Sequence, residues 1–211
     1  DWEEAQLRHE ETRMKYGEPD ENALAGEVDT ETPLLLAVGR LVARKGFQTL
    51  IRAMPEILKE VPKAHLVIVG RGHMAKTMNK QVKALGIQKS VTIEAGMPFE
   101  QLTQLYRSAD LVIYPSYYEG QGLVPLEAMA SGTSVVTVNH GPLPEMVDST
   151  VGETFTAGDE EELAKVVIKE LSDHENRSNK IKNGRERILN TYTYAHNAES
   201  YELLYNELCE N

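Results

Sequence analysis

The chain has 211 residues, a formal net charge of −11 and an apolar fraction of 41%. These values allow one large domain or two small ones, with enough apolar residues for a well-buried core. The charge is uneven, since residues 1–32 hold 11 acidic and three basic residues while the remainder is close to neutral. The chain therefore lacks the basic face that nucleic-acid binding requires, and no nucleic-acid partner is predicted.

Apolar runs and cysteine content exclude further classes of protein. The longest apolar runs, such as Leu34–Val38 and Leu66–Val69, are too short to cross a bilayer. The acidic first residues lack the basic and apolar regions of a signal peptide. Cys209 is the only cysteine, so neither a disulfide framework nor a cysteine metal site is predicted. We therefore expect a cytoplasmic protein.

Residues 1–32 and residues 33–211 differ in composition and predict two regions. The first predicts an acidic lead-in helix over residues 1–16 and an interdomain linker over residues 17–32, where glycine, proline and acidic residues are concentrated. From residue 33 onward, short apolar runs alternate with helical patterns, which is typical of a parallel sheet covered on both faces. Residues 33–211 therefore predict an α/β domain, a Rossmann-like doubly wound parallel sheet that ends in helices.

The boundaries of the predicted elements follow from the apolar patterns. The strands are predicted over Leu34–Val38, His65–Val69, Val91–Glu94, Asp110–Tyr114, Ser134–Val138 and Val151–Phe155. The helices are predicted over Phe47–Glu60, Met74–Leu85, Phe99–Ala109, Leu123–Ala130, Leu143–Val147, Glu160–Leu171, His174–Leu189 and Ala195–Leu208. Because such sheets bind ligands at the carboxyl ends of their strands, the loops after the strands are where a site is expected.

The loop after the fourth predicted strand is the strongest candidate site. It contains Gly120 and Gly122, and a helix pattern begins directly after it at Leu123. A glycine loop at a helix N-terminus offers unpaired backbone N–H groups, which favours phosphate binding. Glu119 and Glu127 lie on either side of the loop, and carboxylates accept paired hydrogen bonds from the vicinal hydroxyls of a sugar or a ribose.

The loop after the first predicted strand, residues 39–46, is rich in cations. Arg40 and Lys45 could together neutralise a diphosphate, with the arginine as a forked donor and the lysine as a point charge. The alternative is a solvated basic turn. The position of the loop at the mouth of the predicted sheet favours the functional interpretation.

A rival motif follows the second predicted strand. Residues 70–75 fit the dinucleotide pattern G-x-G-x-x-A, with Gly70 and Gly72 as its glycines. Glu94 lies about 20 residues further on, where a ribose-binding acid is expected. Against this interpretation, the strand is not the first of its unit and Arg71 occupies the tight turn. A tight turn would by itself explain both glycines.

Histidines and tyrosines add no further site. The six histidines show no metal-binding spacing, so no metal site is predicted. Four tyrosines near the carboxyl terminus are interpreted as helix packing rather than as a stacking platform. They are Tyr192, Tyr194, Tyr201 and Tyr205.

Three groups of residues are together similar to a known family. They are Gly39-Arg40-Leu41 with Lys45-Gly46, then Pro115-Ser116 with Glu119-Gly120 and Gly122-Leu123, then Leu126-Glu127-Ala128-Met129-Ala130 with Gly132 and Val135-Val136. In this order they resemble the retaining glycosyltransferases of family 4. The resemblance implies the GT-B fold, with two Rossmann-like domains and a cleft between them. This chain would be the C-terminal, nucleotide-sugar-binding half.

The resemblance also implies a role for each site residue. Arg40 and Lys45 would bind the donor diphosphate and stabilise the departing nucleotide in place of a metal ion. Glu119 would hold hydroxyls of the transferred sugar and Glu127 those of the ribose. Arg40, Lys45 and Glu119 are thus the predicted catalytic residues. The other residues predicted to bind the donor are Gly39, Gly96, Gly120, Gln121, Gly122 and Leu123. No cofactor or metal is expected.

Three positions depart from the family pattern. Gln121 stands where the family usually has an aromatic residue, so different contacts to the donor sugar are expected. Ser134 replaces a common proline before the fifth strand, which affects rigidity more than chemistry. Arg71 occupies a position that is more often acidic.

The predicted function is transfer of a hexosyl group from a nucleoside-diphosphate sugar to a glycan, lipid or small-molecule acceptor. The acceptor site is expected on a missing N-terminal domain, and any contact with the inner face of a membrane would be made through that half. This chain alone would then transfer nothing. One alternative is a non-catalytic module that binds nucleotide sugar. A weaker one is an NAD-type dinucleotide-binding domain that uses Gly70 and Gly72.

Overall fold

The computed structural model describes residues 32–210, so the predictions for residues 1–31 lie outside the described part of the chain. Its strands are β1 (Leu34–Val38), β2 (His65–Val69), β3 (Val91–Glu94), β4 (Leu111–Tyr114), β5 (Ser134–Val138) and β6 (Glu153–Phe155). They pair in parallel in the order β3-β2-β1-β4-β5-β6. This order confirms the predicted doubly wound parallel sheet.

Helices connect the strands and close the chain, and their ends lie within two residues of the predicted ones. They are α1 (Phe47–Glu60), α2 (Ala75–Ala84), α3 (Phe99–Ser108), α4 (Leu123–Ser131), α5 (Leu143–Met146), α6 (Glu160–Ser172), α7 (His174–Thr191) and α8 (Tyr194–Glu210). A short 3-10 turn at Ala43–Lys45 also forms, which the apolar pattern does not predict.

The sixth strand is shorter than the predicted Val151–Phe155. The backbone N–H groups of Val151 and Gly152 both donate to the carbonyl of Asp148, at 3.1 and 3.0 Å. This turn uses the amides that would otherwise pair with β5, and the strand therefore begins only at Glu153.

The central strands explain why the apolar runs in the sequence are continuous. Every residue of β1 and β4 is buried, because helices cover both faces of the sheet. Among these helices, α1 packs against α6 and α4 packs against α7. Leu35 and Leu36 are fully buried, and burial of each such side chain stabilises the fold by about 1.5–3 kcal/mol.

The order of the strands reverses between β1 and β4, which lie side by side with Leu35 opposite Leu111. The connection from β1 runs toward β2 and β3, whereas the connection from β4 runs toward β5 and β6. The loops after β1 and β4 therefore start from neighbouring carboxyl ends at the point where the strand order reverses. In doubly wound sheets this switch point is where ligands bind.

The glycines of the rival dinucleotide motif are accounted for by contact with the loop after β1. A Cβ atom at Gly70 would lie 1.8 Å from the carbonyl oxygen of Gly39, and one at Gly72 would lie 2.3 Å from that of Leu41. The two loops also share backbone hydrogen bonds, from Leu41 to the carbonyl of Arg71 at 2.9 Å and from Met74 to the carbonyl of Leu41 at 3.0 Å. Both glycines are thus required for close backbone approach.

The interpretation of the carboxyl-terminal tyrosines as helix packing is wrong for α8. Tyr194, Tyr201 and Tyr205 are 95%, 55% and 63% exposed. The reason is that α8 extends away from the sheet and, among the described elements, contacts mainly α7. Only Tyr192, which follows α7, packs partly against the core.

A buried ionic cluster ties α6 and α7 to the sheet at the amino ends of β5 and β6. Lys180 Nζ donates to Glu170 Oε2 at 2.6 Å and to Glu153 Oε1 at 2.7 Å. Ser134 Oγ donates to the other Glu170 oxygen at 2.6 Å. Glu170 and Lys180 are 1% and 2% exposed. Each buried charge is therefore compensated, which is the condition for tolerating it in the interior.

Substitution of Lys180 tests this cluster. Lys180→Met leaves the Glu170 carboxylate buried without its cation, so the free energy of unfolding should fall by roughly 3 kcal/mol in urea denaturation. Lys169→Met is the matched control, because Lys169 also contacts Glu153 but its side chain is 61% exposed. The control should lose less than about 1 kcal/mol. Equal losses of unfolding free energy in the two variants would show that burial of the Lys180–Glu170 pair does not contribute to stability.

Candidate functional site

The loop after β1 and the loop after β4 are locked together at the switch point. Tyr117 donates its backbone N–H to the carbonyl of Arg44 at 2.8 Å, and Ser116 Oγ lies 3.2 Å from the same oxygen. Gly46 has φ +69°, and a Cβ atom there would lie 1.9 Å from the carbonyl oxygen of Pro115. Only glycine fits at this crossing, which places the cations of residues 39–46 beside the loop that carries Glu119.

Lys45 and Glu119, two of the predicted site residues, form an ion pair. Lys45 Nζ lies 2.6 Å from Glu119 Oε1 and donates to the hydroxyl of Tyr114 at 2.5 Å. The Lys45 and Glu119 side chains are only 9% and 10% exposed. Lys45 Nζ also lies 4.7 Å from the centre of the Tyr114 ring, within the range of a cation–π contact. The lysine is therefore fixed, and its charge is matched by a carboxylate.

The Glu119 carboxylate is held in its ionised form. Partial burial raises the pKa of this carboxyl, but hydrogen bonds from Lys45, Ser116 and the Tyr114 hydroxyl and the Lys45 charge outweigh burial, so its pKa lies below the usual range. Ser116 Oγ donates to Oε1 at 2.5 Å, and Arg44 Nη1 approaches the same oxygen at 3.4 Å. Donors thus converge on one oxygen of Glu119.

Sequence reasoning did not select three residues that build this centre: Arg44, Tyr114 and Ser116. Arg44 also clamps the loop, because its Nη1 donates to the carbonyl of Tyr118 at 2.8 Å. Its position beside Lys45 in the predicted basic loop was the available signal. Tyr114 ends a predicted strand at the carboxyl edge of the sheet, which would equally have marked it as a candidate.

Arg40 differs from Lys45 although the two were predicted as a pair. Its side chain is exposed, and it makes no ion pair or side-chain hydrogen bond with residues 32–210. Its backbone carbonyl accepts a hydrogen bond from Val42 at 2.8 Å, which fixes the turn that presents it. Of the two predicted cations, Lys45 is therefore held in an ion pair, whereas Arg40 has no side-chain partner among residues 32–210.

The glycine loop supplies backbone donors as predicted. Within the described part of the chain, none of the N–H groups of residues 118–124 donates a hydrogen bond. Gly122 is the N-cap of α4 with φ +92°, and no side chain caps the helix there. Free amides at the positive end of a helix dipole form an anion-binding surface, and this surface adjoins the Lys45–Glu119 pair.

Glu127 lies on the second turn of α4 with its side chain exposed. Its Oε2 accepts a hydrogen bond from the Tyr106 hydroxyl at 2.7 Å. Burial raises the pKa of the Tyr114 hydroxyl, and the negative charges of Glu119 and Glu127 both raise it further. Glu119 precedes α4 and Glu127 lies on its second turn, so one loop and the helix that follows it carry both predicted glutamates.

The remaining predicted residues lie along the same edge of the sheet. Gly39 directly follows β1, has φ +150° and donates its N–H to the carbonyl of Val69 at 3.0 Å. Gly96, exposed and with φ +104°, follows β3, two strand positions from β1 and thus about 10 Å along the edge. Their predicted contacts with a donor remain predictions.

Metal-binding clusters and membrane-spanning helices are both absent from residues 32–210. Residues 32–210 contain no group of three or more histidine, cysteine, aspartate or glutamate side chains arranged to hold a metal ion. Among the helices of this part of the chain, none is both long enough and apolar enough to span a membrane.

Comparison with known proteins identifies the family. The family model described as "Glycosyl transferases group 1" matches residues 20–187. This chain belongs to the group 1 glycosyltransferases. An uncharacterised glycosyltransferase of Methanocaldococcus jannaschii is 36% identical to this group 1 domain over 168 residues, which is 79% of this chain and 43% of that protein.

A further relative and a solved structure agree with this membership. The GDP-mannose-dependent alpha-(1-6)-phosphatidylinositol monomannoside mannosyltransferase of Mycolicibacterium smegmatis is 34% identical over 151 residues, or 68% of this chain and 40% of that protein. The structure of sucrose-phosphate synthase from Thermosynechococcus elongatus superposes with a TM-score of 0.75 at 29% identity, covering 87% of this chain and 47% of that one. The group 1 domain thus spans less than half the length of these proteins.

Two glycines of the loop should respond differently to substitution. Gly122→Ala should lower the free energy of unfolding by about 2 kcal/mol, because φ is +92° and a Cβ atom would lie 2.8 Å from Leu143 Cδ2. Gly120→Ala should change it by less than about 0.5 kcal/mol, because nothing lies within 4 Å and φ is not positive. Urea denaturation of both variants measures the difference. A large loss for Gly120→Ala would mean that the loop adopts another conformation.

The lowered pKa of Glu119 predicts a pH-dependent contribution to stability. A carboxyl whose pKa is lower in the folded than in the unfolded chain stabilises the fold above its ordinary value of 4.5, and this contribution is lost as the pH falls through the folded-state pKa. Glu119→Gln should therefore cost about 1–2 kcal/mol at pH 7, and the difference from wild type should shrink below about pH 4.5. A difference that stays constant down to pH 3 would contradict the ion pair.

Proposed function

We propose that residues 33–211 form the donor-binding domain of a retaining, metal-independent glycosyltransferase of family 4. The enzyme transfers a hexosyl group from a nucleoside-diphosphate sugar to an acceptor. One observation carries the proposal: at the switch point of the sheet, a loop of unpaired backbone N–H groups lies among two carboxylates and two cations. A nucleoside-diphosphate sugar is a diphosphate joined to a ribose and to a hexosyl group. Amides and cations suit the diphosphate, and carboxylates suit the hydroxyls of the two sugars.

The diphosphate binds to the amides of the glycine loop and to Arg40. The amides donate without losing any existing hydrogen bond, and Arg40 has no partner among residues 32–210 to give up. Lys45 lies beside them, fixed by Tyr114 and Glu119. When the C–O bond to the transferred sugar breaks, negative charge develops on the departing diphosphate. Arg40, Lys45 and the amides stabilise that charge, which is the part a metal ion plays in other transferases.

The two carboxylates bind the two polyols of the donor. Glu119 offers its second oxygen, Oε2, to hydroxyls of the sugar, since Arg44, Lys45 and Ser116 contact Oε1. Glu127 offers Oε1 to the ribose, since Tyr106 occupies Oε2. Ionised carboxylates are strong acceptors for hydroxyl donors, so both contacts orient the donor. The similarity of the motifs to family 4 supports retention of the anomeric configuration.

The relatives support the class of donor and the need for a second domain. The Mycolicibacterium smegmatis relative is GDP-mannose-dependent by name, and a nucleoside-diphosphate sugar is the class of molecule that this site fits. This chain covers 40–47% of the three proteins compared. We propose that the complete enzyme carries a further domain that binds the acceptor, a glycan, a lipid or a small molecule.

Calorimetric titration tests the proposal. The chain is titrated with UDP, GDP and ADP, each with and without EDTA, and one of them should bind to the same extent in both conditions. Arg40→Ala, Lys45→Ala and Glu127→Ala should each weaken that binding roughly tenfold or more, because each removes a charged hydrogen-bonding partner of the ligand.

The control variant is Arg107→Ala, which removes an exposed arginine from the last turn of α3. That end of the helix leads into the amino end of β4, whereas the site lies at the carboxyl ends of the strands. This variant should bind like the wild type. Unchanged binding in all three site variants, or binding that EDTA abolishes, would contradict the proposal.

A further inference from the structure

Tyr106 connects the core of the domain to the exposed Glu127. It lies on α3, its side chain belongs to the buried core cluster, and it is only 3% exposed. Its hydroxyl donates to Glu127 Oε2 at 2.7 Å. Its backbone carbonyl accepts a hydrogen bond from Thr133 Oγ1 at 2.5 Å. Core packing and two hydrogen bonds therefore fix Tyr106, while the carboxylate that its hydroxyl contacts lies at the surface.

The Tyr106 hydroxyl restricts a side chain that would otherwise be free to rotate. Among residues 32–210, it is the only hydrogen-bond partner of the Glu127 carboxylate. An exposed glutamate samples many rotamers, and ordering it when a ligand binds weakens binding. Fixing one oxygen in advance leaves Oε1 for a ligand and removes part of that cost.

The hydroxyl is suited to this task because it stays protonated. Burial raises the pKa of the Tyr106 hydroxyl, and the charge and hydrogen bond of Glu127 raise it further. It is therefore a hydrogen-bond donor at neutral pH. A phenylalanine ring would fill the same space in the core, so the hydroxyl itself is needed only for Glu127.

We propose that Tyr106 is a positioning residue for the nucleoside part of the donor. Its hydroxyl fixes Glu127 so that one carboxylate oxygen receives the ribose hydroxyls. The inference rests on the proposed function, in which Glu127 binds the ribose. Tyr106 itself touches no ligand, and its whole effect on binding passes through the Glu127 carboxylate.

A double-mutant cycle tests this. Wild type, Tyr106→Phe, Glu127→Ala and the double variant are titrated with the nucleoside diphosphate that binds wild type best, and with its 2′,3′-dideoxy analogue. Tyr106→Phe should weaken binding of the natural nucleotide about three- to tenfold. In the Glu127→Ala background it should have no further effect. It should also leave binding of the dideoxy analogue unchanged, because that ligand has no ribose hydroxyls to meet the carboxylate.

Tyr192→Phe is the matched control, since it removes a hydroxyl from a partly buried tyrosine that packs against the core after α7. It should bind both ligands like the wild type. Additive losses in the double variant, or equal losses for both ligands, would overturn the inference and show that Tyr106 acts only through the fold.

Different outcomes of the same titrations would contradict the proposed function. If Glu127→Ala binds the natural nucleotide as the wild type does, or if the wild type binds no nucleoside diphosphate, the assignment of Glu127 to the ribose is wrong and the inference falls with it. If Glu127→Ala weakens binding while Tyr106→Phe does not, only the inference is wrong.

Discussion

The ion pair between Lys45 and Glu119 is the interaction on which the site depends. It joins the loop after β1 to the loop after β4 across the switch point, where Gly46 brings the two backbones into contact. The pair also balances the charges at the switch point, because a buried lysine without a partner would destabilise the fold. In the proposed function, the carboxylate that orients the sugar therefore also holds in place the cation that stabilises the departing diphosphate.

A second lysine shows what distinguishes a binding cluster from a structural one. Lys180 and its two glutamates repeat the chemistry of Lys45 and Glu119 at the amino ends of β5 and β6. That cluster is enclosed by α6 and α7, and both Glu170 oxygens have donors. At the carboxyl ends of β1 and β4, by contrast, Lys45 and Ser116 both donate to one oxygen of Glu119. Backbone amides that have no partner among residues 32–210 lie beside it. Unused hydrogen-bonding capacity, rather than the presence of charges, distinguishes the proposed donor site from the structural cluster.

The fold was largely predictable because apolar runs record burial directly, as the buried strands β1 and β4 show. The glycine loop and the two glutamates were predictable because they are close in sequence. Tyr106 and Tyr114 were not selected, since their roles depend on partners 21 and 69 residues away. The exposure of α8 was not predictable either, because an amphipathic pattern shows that a face can be buried without showing what covers it.

A glycine motif indicates a ligand site only where the fold itself does not require the glycines. The pair Gly70 and Gly72 matches a dinucleotide pattern, yet each is explained by a carbonyl oxygen that leaves no room for a Cβ atom. Gly122 is explained by its positive φ and by Leu143. Gly120 has neither reason: its φ is not positive and nothing lies within 4 Å of a Cβ atom there. The fold therefore does not require Gly120, and the close approach of the proposed donor to this loop of unpaired amides would account for it.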